Sequence, residues 1–228
     1  MLDAFLFSSL AQAPLILGGL IVYWFRIPMR VVGWLGGFGA GALVSAIAYN
    51  LVVSGDTLGK ADLVIWLMTG AIVFAGLDAI VEKRFGEQAG ALGIVLGSII
   101  DGVPESVIFG IQIATATAIS PAFLTAVMIS NIPQAIAPSA DLAENGWKWA
   151  KVAGMWAAVV VIAGIAGALA YIVGTMVPSD TGARISLFAA GGLLAMLTTS
   201  LIPFSSERGG LVTGIWAVAG FALSLLQQ

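Results

Sequence analysis

The stretch SIIDGVPESVIFG, residues 98–110, places two acids and a proline inside a run of residues that is otherwise mostly apolar. Asp101 and Glu105 are four residues apart, so on a helix they project from the same face about one turn from each other. If the run spans a membrane, each carboxylate costs at least about 2.5 kcal/mol at its centre. The two acids must therefore be protonated, paired or bound to a cation.

The composition of the whole chain indicates that the run does span a membrane. Of its 228 residues, 60% are hydrophobic and only 9% are charged, whereas a soluble domain has about 45–50% apolar and about 25% charged residues. The sequence has no cysteine and no histidine, which excludes a disulfide framework, a thiolate metal site and an imidazole ligand. Any bound cation must therefore meet oxygen atoms or, at most, thioether sulfur.

Charge and the N-terminal residues narrow the class further. The net charge is only −3 and no basic cluster is present, so nucleic acid is not expected as a partner. The opening stretch MLDAFLFSSLAQAPLILGG contains Asp3 and lacks a positive segment, which argues against a cleaved signal peptide. We interpret it as the start of a spanning helix that is retained.

The apolar runs predict an all-α integral membrane protein that forms a single transmembrane domain over residues 1–228. A spanning helix needs about 20 mostly apolar residues, and short polar segments divide the chain into eight such runs. The predicted helices are 3–25, 31–53, 62–81, 89–115, 120–142, 149–175, 183–204 and 209–227. No predicted loop is long enough for a soluble domain, so the function is expected inside the helix bundle.

The basic residues predict the orientation, because cytoplasmic loops carry an excess of Lys and Arg. The odd-numbered loops hold Arg26, Arg30, Lys83, Arg84, Lys148, Lys151 and Arg208, whereas the even-numbered loops hold Lys60 and Arg184. We therefore expect the odd loops in the cytoplasm and both termini outside, in a multi-pass protein of the plasma (inner) membrane.

A short internal repeat links the fourth and fifth predicted helices. Shifted by 29 residues, IDGVPESVI (100–108) lies over ISNIPQAIA (129–137). Pro104 and Pro133 each remove the amide that would bond the carbonyl four residues earlier. Because discontinuous helices in transporters use such carbonyls to coordinate cations, both prolines are predicted to break their helices locally.

The fifth helix offers neutral oxygens where the fourth offers acids. Ser130, Asn131 and Gln134 lie at the matching positions, and with Asp101 and Glu105 they could surround one cation. Hydrogen bonding between helices is the alternative interpretation of the three neutral residues. A hydrogen-bonded, protonated pair is the alternative for the two acids.

Other polar residues receive weaker interpretations. Asp78 and Glu82 are interpreted as a solvated helix end beside two basic residues. Thr199 and Ser200 precede Pro203 and are candidates for a wider ion path. Asp141 and Glu144 are expected at the cytoplasmic rim, with a gate or a ligand on the exit path as the alternative. For the hydroxyls, bonding to their own helix backbone is the default.

These residues resemble the ZIP family of divalent-metal transporters. The resemblance covers nearly the whole chain, including the glycine-rich GFGAGALVSA of the second helix and AAGGLLAMLTTSLIP of the seventh. The fourth and fifth helices of the family typically carry H-N-x-P-E-G and H-E-x-P-E-G, where this chain has DGVPES and SNIPQA. The resemblance implies a 3+2+3 arrangement, in which two groups of three helices are related by inverted symmetry around helices four and five.

The departures from the family motifs bear on the substrate. Glu105 keeps the family's glutamate and Asp101 stands at its first histidine, whereas Ser130, Asn131 and Gln134 replace a histidine and two acidic ligands. Carboxylate and amide oxygens suit manganese, magnesium or calcium better than zinc. Two carboxylates also neutralise only one divalent ion, which argues against a two-metal centre.

The sequence therefore favours a ZIP-like importer of a divalent cation toward the cytoplasm. The cation is its substrate, and no cofactor and no enzymatic activity are predicted; an aspartyl protease built on Asp78 and Asp101 lacks its other signatures. The expected partners are the lipid bilayer and the small cation, and a homodimer is left open. The alternatives are a proton-coupled carrier of another solute with the same fold and a scaffold that has lost transport.

Overall fold

The computed structural model describes residues 1–52, 58–85 and 91–227, and all regular elements in these ranges are helical. Two of them are π-helical segments, named π1 and π2 here. In chain order the elements are α1 (Leu2–Gln12), α2 (Pro14–Ile21), α3 (Met29–Ala46), π1 (Ile47–Val52), α4 (Lys60–Phe85), α5 (Ala91–Ala114), α6 (Pro121–Glu144), α7 (Trp149–Met176), α8 (Ser179–Met196), π2 (Leu197–Leu201), α9 (Ile202–Gly209) and α10 (Val212–Leu225).

Each of the eight predicted segments is helical, but only six helices in the described ranges are long and apolar enough to span a membrane. These six are Leu2–Ile21, Met29–Val52, Lys60–Val81, Gly93–Ala114, Trp149–Met176 and Asp180–Gly209. The fifth predicted span, α6, has 24 residues and therefore has the length but not the apolarity. The eighth, α10, is apolar but has only 14 residues. The structure thus supports the all-helical class and six spans by length and composition.

The helix ends fall close to their predicted positions, with two clear differences. The first span ends at Ile21 instead of residue 25, and the seventh continues to Gly209 instead of residue 204. Residue 53 of the second predicted helix and residues 89 and 90 of the fourth lie outside the described ranges.

The expected breaks at Pro104 and Pro133 are wrong, because α5 and α6 continue through both prolines. A proline costs one backbone hydrogen bond, and a packed helix can bear that loss without losing its helical course. The irregular backbone lies elsewhere. The first span is interrupted at Ala13, just before Pro14, and the second and seventh contain π1 and π2.

The contacts divide the chain into two compact units, each described by itself. Unit 1 comprises Met1–Ser9, Ile47–Ser120 and Val161–Met196, and unit 2 comprises Leu10–Ala46, Pro121–Val160 and Leu197–Gln228. The main helix pairs of unit 1 are α4 with α8 and α5 with α8. Those of unit 2 are α3 with α10, α6 and α9, and α2 with α6. The acids of α5 belong to unit 1, and the neutral polar residues of α6 belong to unit 2.

In unit 1, reciprocal glycine contacts bring α4 and α8 together. A Cβ atom added at Gly70 would overlap the carbonyl oxygen of Phe188, and one added at Gly191 would overlap the carbonyl oxygen of Leu67. Small residues that allow two backbones to approach closely are the usual means of helix packing in membranes. The pair α4–α8 therefore depends on these two glycines.

Unit 2 repeats this contact between α3 and α10, where added Cβ atoms at two glycines would again overlap carbonyl oxygens of the facing helix. Each residue lies 150 positions from its counterpart in unit 1: Phe38 and Phe188, Gly41 and Gly191, Leu67 and Ala217, Gly70 and Gly220. The first residues of π1 and π2, Ile47 and Leu197, have the same separation. The two units thus share one scheme of helix pairing.

Candidate functional site

The two acids of α5 lie in the interior of unit 1. Glu105 is 1% exposed and Asp101 is half-buried. Helix α5 contains no Lys or Arg along its 24 residues, so the helix itself supplies no positive charge to either carboxylate. The burial predicted from the sequence is therefore confirmed for Glu105 and only partly for Asp101.

Asp78 of α4 belongs to the surroundings of these acids. Its carboxylate lies near enough to Asp101 for the two negative charges to repel each other. Asp78 is half-buried, and its interpretation as part of a solvated helix end stays a prediction. The proximity of Asp78 to Asp101 follows from the packing of α4 against α5. The spacing of residues along one helix does not reveal which helices pack together, so the sequence did not predict it. The side chain of Glu82 lies outside the described part of the chain.

Two serine hydroxyls fix the backbone of α5 around Pro104. Ser106 Oγ donates a hydrogen bond to the Gly102 carbonyl oxygen at 2.8 Å, and Ser8 Oγ of α1 donates to the Ser106 carbonyl oxygen at 3.4 Å. Both serines are fully buried. The Ser8 bond connects α1 to α5 at Ser106, the residue that follows the buried Glu105.

In unit 2, Ser130 of α6 forms a hydrogen bond within its own helix and packs closely against α3. It is fully buried, and its hydroxyl donates to the Val127 carbonyl oxygen at 2.9 Å. A Cβ atom added at Gly39 of α3 would lie 2.7 Å from the Ser130 Cα atom. The backbones of α3 and α6 therefore pack directly against each other at Gly39 and Ser130, and no side chain fits at position 39.

Asn131 connects α6 to the interruption in the first span. Its side-chain amide nitrogen donates to the Ala11 carbonyl oxygen at 3.0 Å, and the residue is 3% exposed. Helix α1 ends at Gln12, and the last carbonyls of a helix have no partner inside that helix. Asn131 thus satisfies a carbonyl that the break at Ala13 leaves open, a structural role that the sequence pattern did not indicate.

These two bonds do not occupy the lone pairs of the side-chain oxygens of Ser130 and Asn131. In both cases the protein uses the hydrogen-bond donor, the hydroxyl proton or the amide N–H, so the oxygen keeps lone pairs for a cation. Gln134 differs from them. It is half-buried, and its side-chain amide nitrogen is buried without a hydrogen-bond partner among the described residues.

The remaining predicted residues lie nearer the surface. Thr199 and Ser200 are exposed in the π2 segment. Asp141 is exposed on α6, and its backbone carbonyl accepts a hydrogen bond of 2.8 Å from the Asn145 side-chain amide. All three belong to unit 2, and their exposure is compatible with a path that reaches the surface of that unit.

The predicted ligands fall into two sets that the structure describes separately. Asp101 and Glu105 belong to unit 1, and Ser130, Asn131 and Gln134 belong to unit 2, so the joint cation site stays a prediction. Within the described residues, no group of three or more His, Cys, Asp or Glu side chains is gathered closely enough to hold a metal ion. A cation held by these residues would therefore need neutral oxygens in addition to the acids.

The six long apolar helices and the buried acids are compatible with a multi-pass membrane protein that carries a polar centre. No protein-family model matches the chain, and no curated protein matches it at a significant level. The resemblance to the ZIP family therefore rests on the sequence motifs of the second, fourth, fifth and seventh predicted helices.

Proposed function

We propose that the chain is a membrane transporter that moves a divalent cation toward the cytoplasm, with a fold related to that of the ZIP family. Asp101 and Glu105 are its anionic ligands, and Ser130, Asn131 and Gln134 are its neutral ligands. The observation that carries the proposal is the burial of Glu105, at 1% exposure, one turn from Asp101 in a span without Lys or Arg. A carboxylate in such a position is most stable when a proton or a cation neutralises it.

The repeated pairing of helices supports a transporter fold. Many secondary transporters consist of two structural repeats, with the substrate site near the interface of the repeats. The contacts of α4 with α8 and of α3 with α10 recur at a separation of 150 residues, as expected if helices 1–3 and 6–8 are repeats. The eight-span arrangement, its inverted symmetry and the location of both termini outside the cytoplasm remain parts of this proposal.

The oxygen ligands define the expected substrate class. Carboxylate, hydroxyl and amide oxygens suit hard cations such as Mn²⁺, Mg²⁺ and Ca²⁺. Two carboxylates balance the charge of one divalent ion, so we expect a single ion per chain. A site of modest affinity suits transport, because the ion must leave as well as enter.

Uptake into proteoliposomes tests the proposal. The wild-type chain should transport at least one ion from a panel of Mn²⁺, Mg²⁺, Ca²⁺ and Zn²⁺, and Glu105→Gln should lower that flux at least about tenfold, because a charged ligand contributes about 1.5–3 kcal/mol. Glu207→Gln is the matched control, since the Glu207 side chain is 81% exposed. Flux that does not differ between the wild type and Glu105→Gln would contradict the proposal.

One observation favours a proton-coupled carrier as the second candidate. Asp78 and Asp101 are both half-buried and belong to α4 and α5, two helices of unit 1 that contact each other, and two neighbouring carboxylates can share one proton. This candidate predicts acidification inside the vesicles that accompanies uptake of a solute other than a divalent metal. If neither a metal nor a proton moves, and Asp101→Ala with Glu105→Ala leaves cellular function intact, the scaffold alternative gains support.

A further inference from the structure

A second polar feature of unit 2 lies away from the proposed ligands. A cavity of about 630 Å³ opens between the segment that joins α2 to α3 and the end of α6. Its walls carry one cation, Arg26, and one anion, Glu144, together with apolar side chains that include Val22, Phe25 and Ile136. The volume lies within the range of about 300–1,000 Å³ that is usual for small-molecule sites.

The two charges share the cavity without forming an ion pair. Both residues are exposed, and among the described ion pairs none involves Arg26 or Glu144. Opposite charges that border one cavity and do not neutralise each other can bind a ligand that carries both signs. A zwitterion with an anionic and a cationic group matches this arrangement.

The cavity does not belong to the proposed cation site. Each residue advances by about 100° around an α-helix, so the wall residues Ile136, Ala140 and Ala143 lie about 120–180° around α6 from Gln134, whereas Glu144 lies only about 60° from Asp141. Glu144 is separated from the proposed ligands mainly along the helix axis, where it lies about 15 Å from Gln134. The cavity needs a function of its own.

The position of the cavity along the chain indicates a lipid. It lies where two candidate spans, Leu2–Ile21 and Met29–Val52, are joined, and between Ile136 and Glu144 it extends along about 12 Å of α6. Trp24 and Trp149, which are 65% and 56% exposed, flank this end, and tryptophans concentrate at the level of the lipid headgroups. A ligand with a polar head and an apolar body fits such a location.

The loop that borders the cavity is fixed in place. The Tyr23 hydroxyl donates a hydrogen bond of 2.7 Å to the Trp147 carbonyl oxygen, and burial raises the pKa of Tyr23, so the hydroxyl keeps its proton at neutral pH. The Lys151 Nζ atom lies 3.5 Å from the centroid of the Trp147 ring. These contacts tie the α2–α3 connection to the α6–α7 connection, so the cavity is formed before any ligand binds.

We infer that this cavity binds the headgroup of a phosphatidylethanolamine lipid, with the phosphate at Arg26 and the ammonium group at Glu144. Phosphatidylglycerol offers a phosphate but no ammonium, so Glu144 repels it. Phosphatidylcholine carries a positive charge but no N–H donor for the carboxylate. The lipid's glycerol and first acyl carbons lie against the apolar wall.

Native mass spectrometry of the full chain in detergent tests this inference. The three lipids, with identical acyl chains, are titrated separately, and the dissociation constant of the first bound lipid is measured. We expect phosphatidylethanolamine to bind about fivefold more tightly than the other two, which corresponds to one exposed charge pair. Equal binding of all three lipids would overturn the inference.

Single-charge variants locate the site. Glu144→Gln should abolish the preference for phosphatidylethanolamine and strengthen phosphatidylglycerol binding, whereas Arg26→Gln should weaken all three lipids. Arg30→Gln and Glu207→Gln are matched controls, because each removes the same charge from unit 2 at a residue outside the cavity wall. If the control variants change lipid binding as much as the cavity variants do, the effect comes from the general surface charge. That result would overturn the assignment of the lipid site to this cavity.

A charge swap and a soluble headgroup test the paired charges and the apolar wall separately. The double variant Arg26→Glu with Glu144→Arg should bind phosphatidylethanolamine better than either single charge reversal, because both charges again border the cavity. A failure to improve on both single reversals overturns the paired roles of the two residues. Soluble glycerophosphoethanolamine should not displace the lipid at equal concentration, and effective displacement would show that the apolar wall does not contribute.

Discussion

Helices α5 and α6 each contain a proline in a polar centre, yet the structure uses their polar side chains differently. In α5, Glu105 is buried and Asp101 is half-buried, and the neighbouring helix α4 carries a further acid, Asp78. In α6, Ser130 and Asn131 each donate a hydrogen bond to a backbone carbonyl. The two similar motifs therefore differ in chemistry. Helix α5 carries acids, and α6 carries neutral side-chain oxygens whose orientation is set by hydrogen bonds.

The largest loss of stability is expected for a substitution in the contact between α3 and α6. Gly39→Leu should destabilise the protein by about 3 kcal/mol, because even a Cβ atom there would lie 2.7 Å from the Ser130 Cα atom and overpacking is costly. Gly76→Leu is the control, since no atom lies within 4 Å of a Cβ at that position. Unfolding in detergent measures both variants, and equal stability of the two would refute the tight contact.

The next effect tests whether Asn131 has a structural role. Asn131→Leu should cost about 2 kcal/mol, because it leaves the buried Ala11 carbonyl without its donor. Asn145→Leu also removes an amide-to-carbonyl bond, but an exposed one, and should cost less than about 0.5 kcal/mol. Chemical denaturation compares the two, and a smaller loss for Asn131→Leu than for Asn145→Leu would contradict this role.

A gain of function sharpens the contrast in charge. Gln134→Glu places on α6 the acid that the ZIP motif carries there, and we expect about tenfold tighter binding of a divalent cation, because an anionic ligand replaces a neutral one. Gln227→Glu, at an exposed position, should leave the affinity unchanged. Isothermal titration calorimetry provides the measurement, and weaker binding by Gln134→Glu would remove Gln134 from the ligand set.

The smallest effect is expected for Ser130. Ser130→Ala should cost less than about 1 kcal/mol, because the Val127 carbonyl can keep a backbone partner within α6. Ser139→Ala should cost more, since the Ser139 hydroxyl accepts the buried Trp156 indole N–H at 2.8 Å. Thermal unfolding measures the loss of stability in both variants. A larger loss for Ser130→Ala than for Ser139→Ala would contradict this prediction.

The sequence predicts the helices well and their contacts poorly, for physical reasons. Runs of apolar residues with the length of a bilayer locate the spans within a few residues, because the membrane fixes that length. The prolines mislead, since local propensity does not show whether a packed helix can bear a lost hydrogen bond. The π segments and the interruption at Ala13 depend on tertiary packing, so the apolar pattern does not reveal them.

The candidate site shows the same limit. The buried Glu105 follows from its motif, whereas the proximity of Asp78 to Asp101 depends on how two helices meet. A signal for the shared helix pairing was present in the sequence, because Ile65-Trp66 and Gly70 recur as Ile215-Trp216 and Gly220. The two copies of that repeat are 150 residues apart and consist mainly of apolar and small residues. The repeat at a separation of 29 residues contains acids and prolines and is therefore easier to recognise in the sequence.

Cation binding to the acids of α5 is tested most directly by counting the ions bound to each chain. Equilibrium dialysis of the purified protein in detergent against Mn²⁺ should give one bound ion per chain. The double variant Asp101→Asn with Glu105→Gln should lose at least about a hundredfold in affinity, and Glu207→Gln should bind like the wild type. Equal Mn²⁺ binding by the double variant and the wild type would contradict the role of the two acids.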